Sequence, residues 1–385
     1  MPYNRMNSYE KRSVMQIQNP DITNALQRKI ELQENGIILS TDGAAGLEYA
    51  FYLEHSNGLE KKYYSDNLTH FFQIHPNLGR YTATFFYKKN TTIISHKIAF
   101  VIGEQQKIFL IKKANLATSK HFKIDNYDIG SNTTFVVFNG SGSTIYSPPF
   151  GLSFLLCRGY NVIVCLQNNN QYQGLSFEDF GKYVGPAVKG KATYLYGSSL
   201  GGYCAVYYAG AVKGHVIASA PRNSAHPALI TYSPKKNNYN ADDFQHKDIF
   251  ENELSPASVN IFIDPHVPED VFFLNNYVRT AYPKVNLLEY QHAGHEVLMH
   301  VNRIGHLKNI IGAIVDNRPF EIDQNTDSEF TEIGKAHFFL KKQDIRRATI
   351  YYQRALNRKS PNKAVAAKIR AIKRELGLLK NQKSV

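Results

Sequence analysis

The sequence predicts an α/β protein with a mostly parallel sheet, preceded by a small antiparallel β-sandwich and followed by a short helical appendage. Three observations predict this. Short strand-like runs separated by turn residues fill residues 36–105, apolar strands alternate with helix-sized segments over residues 131–318, and residues 319–385 have a helical, basic pattern. With 385 residues, 43% of them hydrophobic, the chain is long enough for two or more domains with cores of their own.

The N-terminal third divides into a partly helical segment, a sandwich and a connector. Residues 1–35 mix charges with weak helical periodicity, and residues 21–35 read as a short helix ending before a glycine. An immunoglobulin-like sandwich is expected over residues 36–105, and residues 106–130 are expected to connect it to the next domain. Turn sequences separate the four strand-like runs of the sandwich, which are residues 49–53, 71–74, 81–87 and 97–102.

The region from residue 131 to residue 318 is expected to form the parallel sheet and its helices. Strands buried on both faces of a sheet are continuous apolar runs, and helix-sized segments between them indicate parallel crossovers. One helix is expected over residues 203–210 and a closing helix over residues 306–315. The expected strands are residues 134–138, 160–166, 193–196, 215–220, 259–263 and 285–290.

A glycine-rich motif follows the third of these strands. Residues 197–202 have the sequence GSSLGG and lead into the expected helix. A strand, a G-x-S-x-G turn and a helix in this order form a nucleophile elbow, in which small neighbours let a sharp turn expose the serine hydroxyl. The alternative is a glycine-rich turn that only packs a strand on a helix. We expect Ser199 to be a nucleophile.

A nucleophilic serine needs a general base, and the base needs an orienting acid. We choose His295 as the base because it follows a glycine after the last expected strand, with His292 as the alternative; either could also be an ordinary loop histidine. The acid is expected after the strand over residues 259–263. Asp264 is the first choice and Asp270 the alternate, although a carboxylate at the position of Asp270 also suits helix capping.

Two backbone N–H groups are expected to stabilise a developing oxyanion. One is that of Leu200, directly after the nucleophile, and the other lies in the loop after the strand over residues 134–138. Ser141 is the first choice for the second donor, with Gly140 and Gly142 as alternatives.

Two further residues are expected to contact the substrate, namely Asn139 at the start of that loop and Arg222 after the strand over residues 215–220. An arginine can hold a carboxylate or phosphate through two parallel hydrogen bonds, and a surface ion pair is the alternative. The chain has no phosphate-loop or dinucleotide motif, and the spacing of its three cysteines indicates neither a disulfide framework nor a metal site.

The sequence resembles the α/β-hydrolase superfamily, of the serine esterase and acyltransferase type. Four features carry the resemblance: the motif around Ser199, the D-P-x-V-P stretch that begins at Asp264, the Gly294-His295 pair and the loop from Asn139 to Gly142. The resemblance covers about residues 130–316. It implies an α/β-hydrolase-type sheet and acyl-enzyme chemistry on esters, thioesters or amides, without a metal or other cofactor. It also implies a Ser-His-Asp triad in which an aspartate fixes the tautomer of His295.

The positive charge of the chain is concentrated at its C-terminal end. Residues 335–385 carry 15 Lys and Arg against Asp344 and Glu375, a net +13, which equals the net charge of the whole chain, 45 − 32 = +13. Three helices are expected there, over residues 332–340, 345–357 and 363–377, and residues 334–356 resemble a tetratricopeptide-type helical hairpin. This face is expected to meet an anionic polymer or a membrane surface, or else to be simply solvated; no nucleic-acid motif appears.

Three functions are carried forward. The first is a serine esterase acting on a polar or carbohydrate ester, and the second is an O-acyltransferase, with acetyl-CoA as donor, that modifies a bacterial surface polysaccharide. The third is a non-enzymatic scaffold on a relict hydrolase core. A cytoplasmic protein is expected, with peripheral attachment to the inner membrane face as an option, because no secretory signal or membrane span is apparent. Removing residues 335–385 is expected to leave small-ester turnover intact.

Overall fold

The computed structural model describes residues 21–233, 239–358, 371 and 374, and the chain divides into two compact units, residues 1–111 and 112–385. The described part of the first unit contains a short helix and eight strands. They are α1 (Asp21–Ala25), β1 (Arg28–Gln33), β2 (Gly36–Thr41), β3 (Glu48–His55), β4 (Gly58–Ser65), β5 (Thr69–Phe72), β6 (Gly79–Lys89), β7 (Thr92–Ile102) and β8 (Ile108–Leu110).

The strands of the first unit form two antiparallel sheets around one core. One sheet has the order β1-β2-β5 and the other β4-β3-β6-β7-β8. Leu39 of the first sheet lies in the same apolar cluster as Phe51 and Phe85 of the second, so the two sheets pack as a sandwich. The helix expected over residues 21–35 is wrong beyond Ala25, because the alternating sequence RKIELQ has the period of a strand and forms β1, which pairs with β2.

The second unit, residues 112–385, contains eight of the described strands and all but one of the described α-helices. Its strands are β9 (Lys112–Thr118), β10 (Phe122–Asp128), β11 (Thr133–Phe138), β12 (Asn161–Gln167), β13 (Ala192–Ser198), β14 (His215–Ser219), β15 (Val259–Ile263) and β16 (Asn286–Glu289). Its helices are α2 (Leu152–Leu156), α3 (Phe177–Val188), α4 (Leu200–Tyr207), α5 (Pro227–Tyr232), α6 (Pro268–Phe273), α7 (Arg279–Ala281), α8 (Val297–Arg303), α9 (Leu307–Val315), α10 (Glu329–Lys341) and α11 (Ile345–Asn357).

The eight strands described in this unit form one sheet with the order β16-β15-β14-β13-β11-β12-β10-β9. The strands from β11 to β16 pair in parallel, and β10 is antiparallel to both β9 and β12, so the prediction of a mostly parallel sheet is confirmed. The connector expected over residues 106–130 is instead made of strands. The sequence pattern did not indicate these strands because they carry charged residues. In the structure, the buried carboxylate of Asp125 is paired with Lys113 and Lys123.

The order of the strands fixes where a site can form. The chain passes from β11 to β12 on one side and returns to β13 on the other, so the strand order reverses beside β11. In open parallel sheets such a reversal leaves a crevice at the carboxyl ends of the strands. The loop after β11 and the turn after β13 both begin at that edge.

Helices α10 and α11 form a hairpin that packs into the second unit. Phe330 and Ile333 of α10 are buried, and His300 of α8 is hydrogen-bonded to the hydroxyl of Ser328, which caps α10. The hairpin is therefore an integral layer and not a loosely docked appendage, and its resemblance to a tetratricopeptide unit stays a prediction. The helix expected over residues 363–377 lies outside the described residues except for positions 371 and 374. No helix in the described ranges has the length and apolarity needed to cross a bilayer.

Candidate active site

Ser199 lies on a sharp turn between β13 and α4. Its backbone has φ 56° and ψ −120°, outside the conformations that a residue with a side chain favours. Close backbone contacts hold the turn in place: a methyl group at Gly197 would lie 2.3 Å from the carbonyl oxygen of Gly201, and one at Gly201 would lie 2.4 Å from that of Phe138. Both positions require glycine, and the second contact places the start of α4 against the end of β11.

A chain of hydrogen bonds joins three of the expected site residues. The Nε2 atom of His295 lies 2.8 Å from Oγ of Ser199, and its Nδ1 atom lies 2.9 Å and 2.8 Å from the two carboxylate oxygens of Asp270. Asp270 is fully buried on α6, and His295 lies in the loop between β16 and α8. Serine, imidazole and carboxylate are thus arranged as general-base activation of the hydroxyl requires.

The first choice for the acid, Asp264, does not contact His295. Its buried carboxylate accepts hydrogen bonds from the backbone N–H groups of His292 (3.1 Å) and Gly294 (2.7 Å). It also accepts from the backbone N–H of His266 (2.9 Å) and lies 3.0 Å from Nδ1 of that residue. Asp264 directly follows β15 and binds the loop that carries His295. Asp270 lies in the first turn of α6, and that helix places its carboxylate beside the imidazole.

Arg222 also differs from its expected place. Its Nη1 atom donates to a carboxylate oxygen of Asp270 at 2.8 Å, and its own backbone N–H donates to the carbonyl of Ser199. An arginine was expected to hold the substrate, yet this one is engaged by an internal carboxylate. The contact gives Asp270, which is inaccessible to water, a compensating charge.

The side chain of Asn139 is hydrogen-bonded to the backbone of the loop that follows β11. Its side-chain amide donates to the carbonyl of Pro148 at 3.0 Å and accepts from the N–H of Phe150 at 2.8 Å. Its backbone N–H donates to the hydroxyl of Tyr172 at 2.9 Å. The expectation that Asn139 contacts substrate is therefore corrected: the side chain is buried and its hydrogen-bonding capacity closes the turn.

The two expected oxyanion donors lie at the same edge of the sheet. Leu200 is the first residue of α4, and the first N–H groups of a helix have no partner within it. Ser141 lies in the loop after β11, where its hydroxyl accepts a hydrogen bond from the amide of Gln171 at 2.9 Å and lies 3.2 Å from the hydroxyl of Tyr239. Sequence reasoning missed Tyr239, since nothing in its neighbourhood indicates that it reaches a loop 98 positions away.

Two of the three cysteines are buried in the core of the second unit. Burial raises the pKa of the thiol of Cys165 and that of Cys204, so both are neutral thiols at physiological pH. No cluster of three or more His, Cys, Asp or Glu residues in the described part of the chain could hold a metal ion.

Comparison with known proteins gives distant structural likenesses. No protein-family model and no curated protein sequence matches the chain. A capsule O-acetyltransferase of Neisseria meningitidis serogroup A is similar at 11% identity and a TM-score of 0.38, over 56% of this chain and 98% of the other. A dienelactone hydrolase from Anabaena variabilis is similar at 11% identity and a TM-score of 0.35, over 55% and 98%. A putative carboxylesterase from Lactobacillus plantarum gives 12% identity and a TM-score of 0.31, over 48% and 87%. At these identities and scores the likenesses assign neither a family nor an activity to this chain.

Proposed function

We propose that this protein is a serine-dependent acyl-ester hydrolase that works through an acyl-enzyme intermediate. The observation that carries the proposal is the hydrogen-bond chain from Ser199 through His295 to the buried carboxylate of Asp270. A turn in a strained conformation and an intact chain of polar contacts argue against a relict core, because nothing in packing requires them.

In this proposal Ser199 Oγ attacks the acyl carbon of the ester while its proton passes to Nε2 of His295. Asp270 keeps Nδ1 protonated and stabilises the imidazolium that forms. The backbone N–H of Leu200 and an N–H near Ser141 hold the oxyanion. The intermediate collapses, the leaving alcohol takes the proton from His295, and the acyl group stays on Ser199.

Deacylation repeats the sequence with a second nucleophile. Water, or the hydroxyl of an acceptor sugar, gives its proton to His295 and attacks the acyl carbon, and Ser199 then recovers the proton as the acyl group leaves. The two acceptors use the same residues, so an acetyltransferase drawing on acetyl-CoA is the alternative outcome. The exposed hydroxyl of Ser141, which lies 3.2 Å from that of Tyr239, supports a polar substrate over a long-chain lipid.

The test replaces Ser199 and its neighbour separately. Ser199→Ala is expected to reduce turnover of p-nitrophenyl acetate by about 10⁴-fold or more, since removing a nucleophile leaves only binding and oxyanion stabilisation. Ser198→Ala, the matched control at the end of β13, is expected to keep most of the activity. Equal loss in both variants, or loss in neither, would overturn the proposal.

A second measurement separates hydrolysis from transfer. The purified protein is incubated with acetyl-CoA and with acidic or neutral polysaccharides, and both released acetate and polymer-bound acetyl groups are measured. Acetate alone supports the esterase, and acetylated polymer that depends on Ser199 supports the transferase.

A further inference from the structure

The loop that carries His295 is held from two sides. We call residues 290–296, between β16 and α8, the His loop. Two of its residues have left-handed backbone conformations, His292 with φ 65° and Gly294 with φ 73°. A histidine rarely adopts this conformation unless its surroundings impose it. On one side, the carboxylate of Asp264 binds the N–H groups of both these residues.

Helix α10 of the C-terminal hairpin contacts the other side. A methyl group built on Gly334 would lie 1.9 Å from the carbonyl oxygen of His292 and 2.7 Å from its carbonyl carbon. Real side-chain carbons do not approach other atoms this closely, so the helix can touch the loop only because position 334 has no side chain. The contact joins backbone to backbone, which leaves little room for adjustment.

One turn further along α10, Phe338 completes the contact. Its ring centroid lies 5.1 Å from that of His292 and 5.3 Å from that of His266. The two imidazoles stack on each other with centroids 4.1 Å apart, and Nδ1 of His266 lies 3.0 Å from the carboxylate of Asp264. The aspartate, the imidazole pair and the helix therefore form one continuous set of contacts around the His loop.

One polar contact joins helix α10 to helix α8, and two more lie within the C-terminal hairpin and the turn before it. Arg303 of α8 donates to the buried carboxylate of Glu329 at 3.0 Å, and Lys335 donates to Asp327 at 2.6 Å. Arg358, which follows α11, donates to Glu332, whose side chain is also buried. A buried ion pair resists displacement because separating it would leave a charge without a partner.

Beside Gly334 lies a polar cavity of about 270 Å³ that is lined by Tyr290, His292, Asp327 and Lys335, among others. The hydroxyl of Tyr290 and Nδ1 of His292 are buried there without a hydrogen-bond partner among the described residues. On this side of the His loop, the described contacts with α10 are those at Gly334 and Phe338.

We propose that α10 is a positioning element for the general base, acting through the backbone of His292 to hold His295 within reach of Ser199. The proposal rests on the proposed function, since it concerns the same imidazole. It assigns Gly334 and Phe338, which lie outside the segment that resembles a hydrolase, to the catalytic apparatus as positioning residues.

The decisive variant is Gly334→Ala. The added methyl group would lie 1.9 Å from the carbonyl oxygen of His292, so the His loop and the helix must move apart by about 1 Å to reach 3.0 Å. A misplacement of this size at the base costs about 100-fold in rate. The measurement is the labelling of Ser199 by a fluorophosphonate, which gives both a rate constant and the number of reactive sites. We expect the rate constant to fall about 100-fold while the end point stays at one site per chain, with kcat for p-nitrophenyl acetate falling and KM changing little.

Gly312→Ala is the matched control, since Gly312 lies inside helix α9 and a methyl group there meets nothing within 4 Å. It should label like the wild type. A second pair compares Phe338→Leu with Phe339→Leu, because Phe339 stacks on Tyr351 inside the hairpin and does not contact the imidazoles. Only the change at Phe338 should slow labelling.

The outcomes separate the two proposals. If the wild type fails to label at Ser199, the proposed function is wrong. If the wild type labels and Gly334→Ala labels at the same rate, the positioning role is wrong. If Gly334→Ala lowers the end point and leaves the rate constant of the remaining sites unchanged, α10 has only a structural role and the inference is overturned.

Discussion

Ser199 shows how single residues bear the strain of the site. Its φ of 56° with ψ of −120° is costly for any residue that has a side chain, on the order of 1–3 kcal/mol. The cost is met by helix α4, whose residues are all buried, and by the N–H of Ser199, which donates to the carbonyl of Ser219. The backbone is thereby held in the conformation that places the hydroxyl of Ser199 2.8 Å from Nε2 of His295.

Replacing Asp270 should mainly lower catalytic activity, whereas replacing Asp264 should mainly lower stability. Asp270→Asn keeps the shape but favours the wrong imidazole tautomer, so kcat should fall by about 10⁴-fold with little change in folding. Asp264→Asn turns one acceptor oxygen into a donor that faces the N–H groups of His292 and Gly294, so the main effect should be on stability.

Two measurements separate these roles. Turnover per site that can be labelled reports on catalysis, and urea unfolding reports on stability. If Asp264→Asn proves to be the variant with normal stability and a 10⁴-fold loss of kcat, the assignment of the acid from this geometry is wrong.

At the scale of elements, α4 is supported by a buried histidine. The ring of His246 stacks on that of Tyr207 at 4.4 Å, and its Nε2 lies 3.0 Å from the carbonyl oxygen of Tyr172, to which it donates. Its Nδ1 lies 3.0 Å from the hydroxyl of Tyr203, which donates to it. The neutral imidazole uses both nitrogens, and burial lowers the pKa of His246 to about 4.

This histidine should make folding sensitive to acid. In the unfolded chain a histidine titrates near pH 6.5, so between pH 6.5 and 4 the unfolded state binds a proton that the folded state does not. The free energy of unfolding should therefore be constant in this respect above pH 6.5 and fall by about 3 kcal/mol as the pH drops to 4. His246→Gln should remove that part of the slope in urea titrations, whereas replacing the exposed His121 should not. An unchanged slope in His246→Gln would contradict the prediction.

At the scale of the whole molecule, the C-terminal hairpin is part of the second unit. Phe330, Ile333 and the carboxylates of Glu329 and Glu332 are buried, so removing the hairpin would expose apolar surface and leave Arg303 without its partner. We therefore expect the opposite of the sequence-based prediction: deleting residues 335–385 should lower small-ester turnover.

Two truncations test whether turnover depends on the C-terminal hairpin. A chain ending at Asn317 should lose p-nitrophenyl acetate turnover or fail to fold, because α10 is missing. A chain ending at Arg358 keeps both described helices of the hairpin and removes eight Lys and Arg against Glu375. It should retain turnover while binding an anionic polymer more weakly, especially at low salt. Full activity in the shorter chain would show that the hairpin is dispensable.

Local patterns in the sequence were sufficient for much of the molecule. The GSSLGG motif indicated that Ser199 lies on a sharp turn. The reason is that the strand and the helix are in such close contact that only glycine fits at positions 197 and 201. The same held for the core strands of the parallel sheet, whose burial on both faces makes them continuous apolar runs. Strands with mixed or charged faces were missed, since β1 alternates half-buried with exposed residues and β10 carries the ion-paired Asp125, so neither forms a continuous apolar run.

The tertiary structure alone decided which groups meet. Asp264 and Asp270 are both acids shortly after one strand, and only the path of α6 brings the second to His295. Arg222 and Asn139 have side chains that could bind a substrate, yet Arg222 is hydrogen-bonded to Asp270 and Asn139 to the backbone of Phe150. Their spacing in the sequence does not indicate these partners. Residue types and local periods are properties of the sequence, whereas a hydrogen bond between distant residues depends on how the whole chain packs, and Gly334 lies against His292 for that reason.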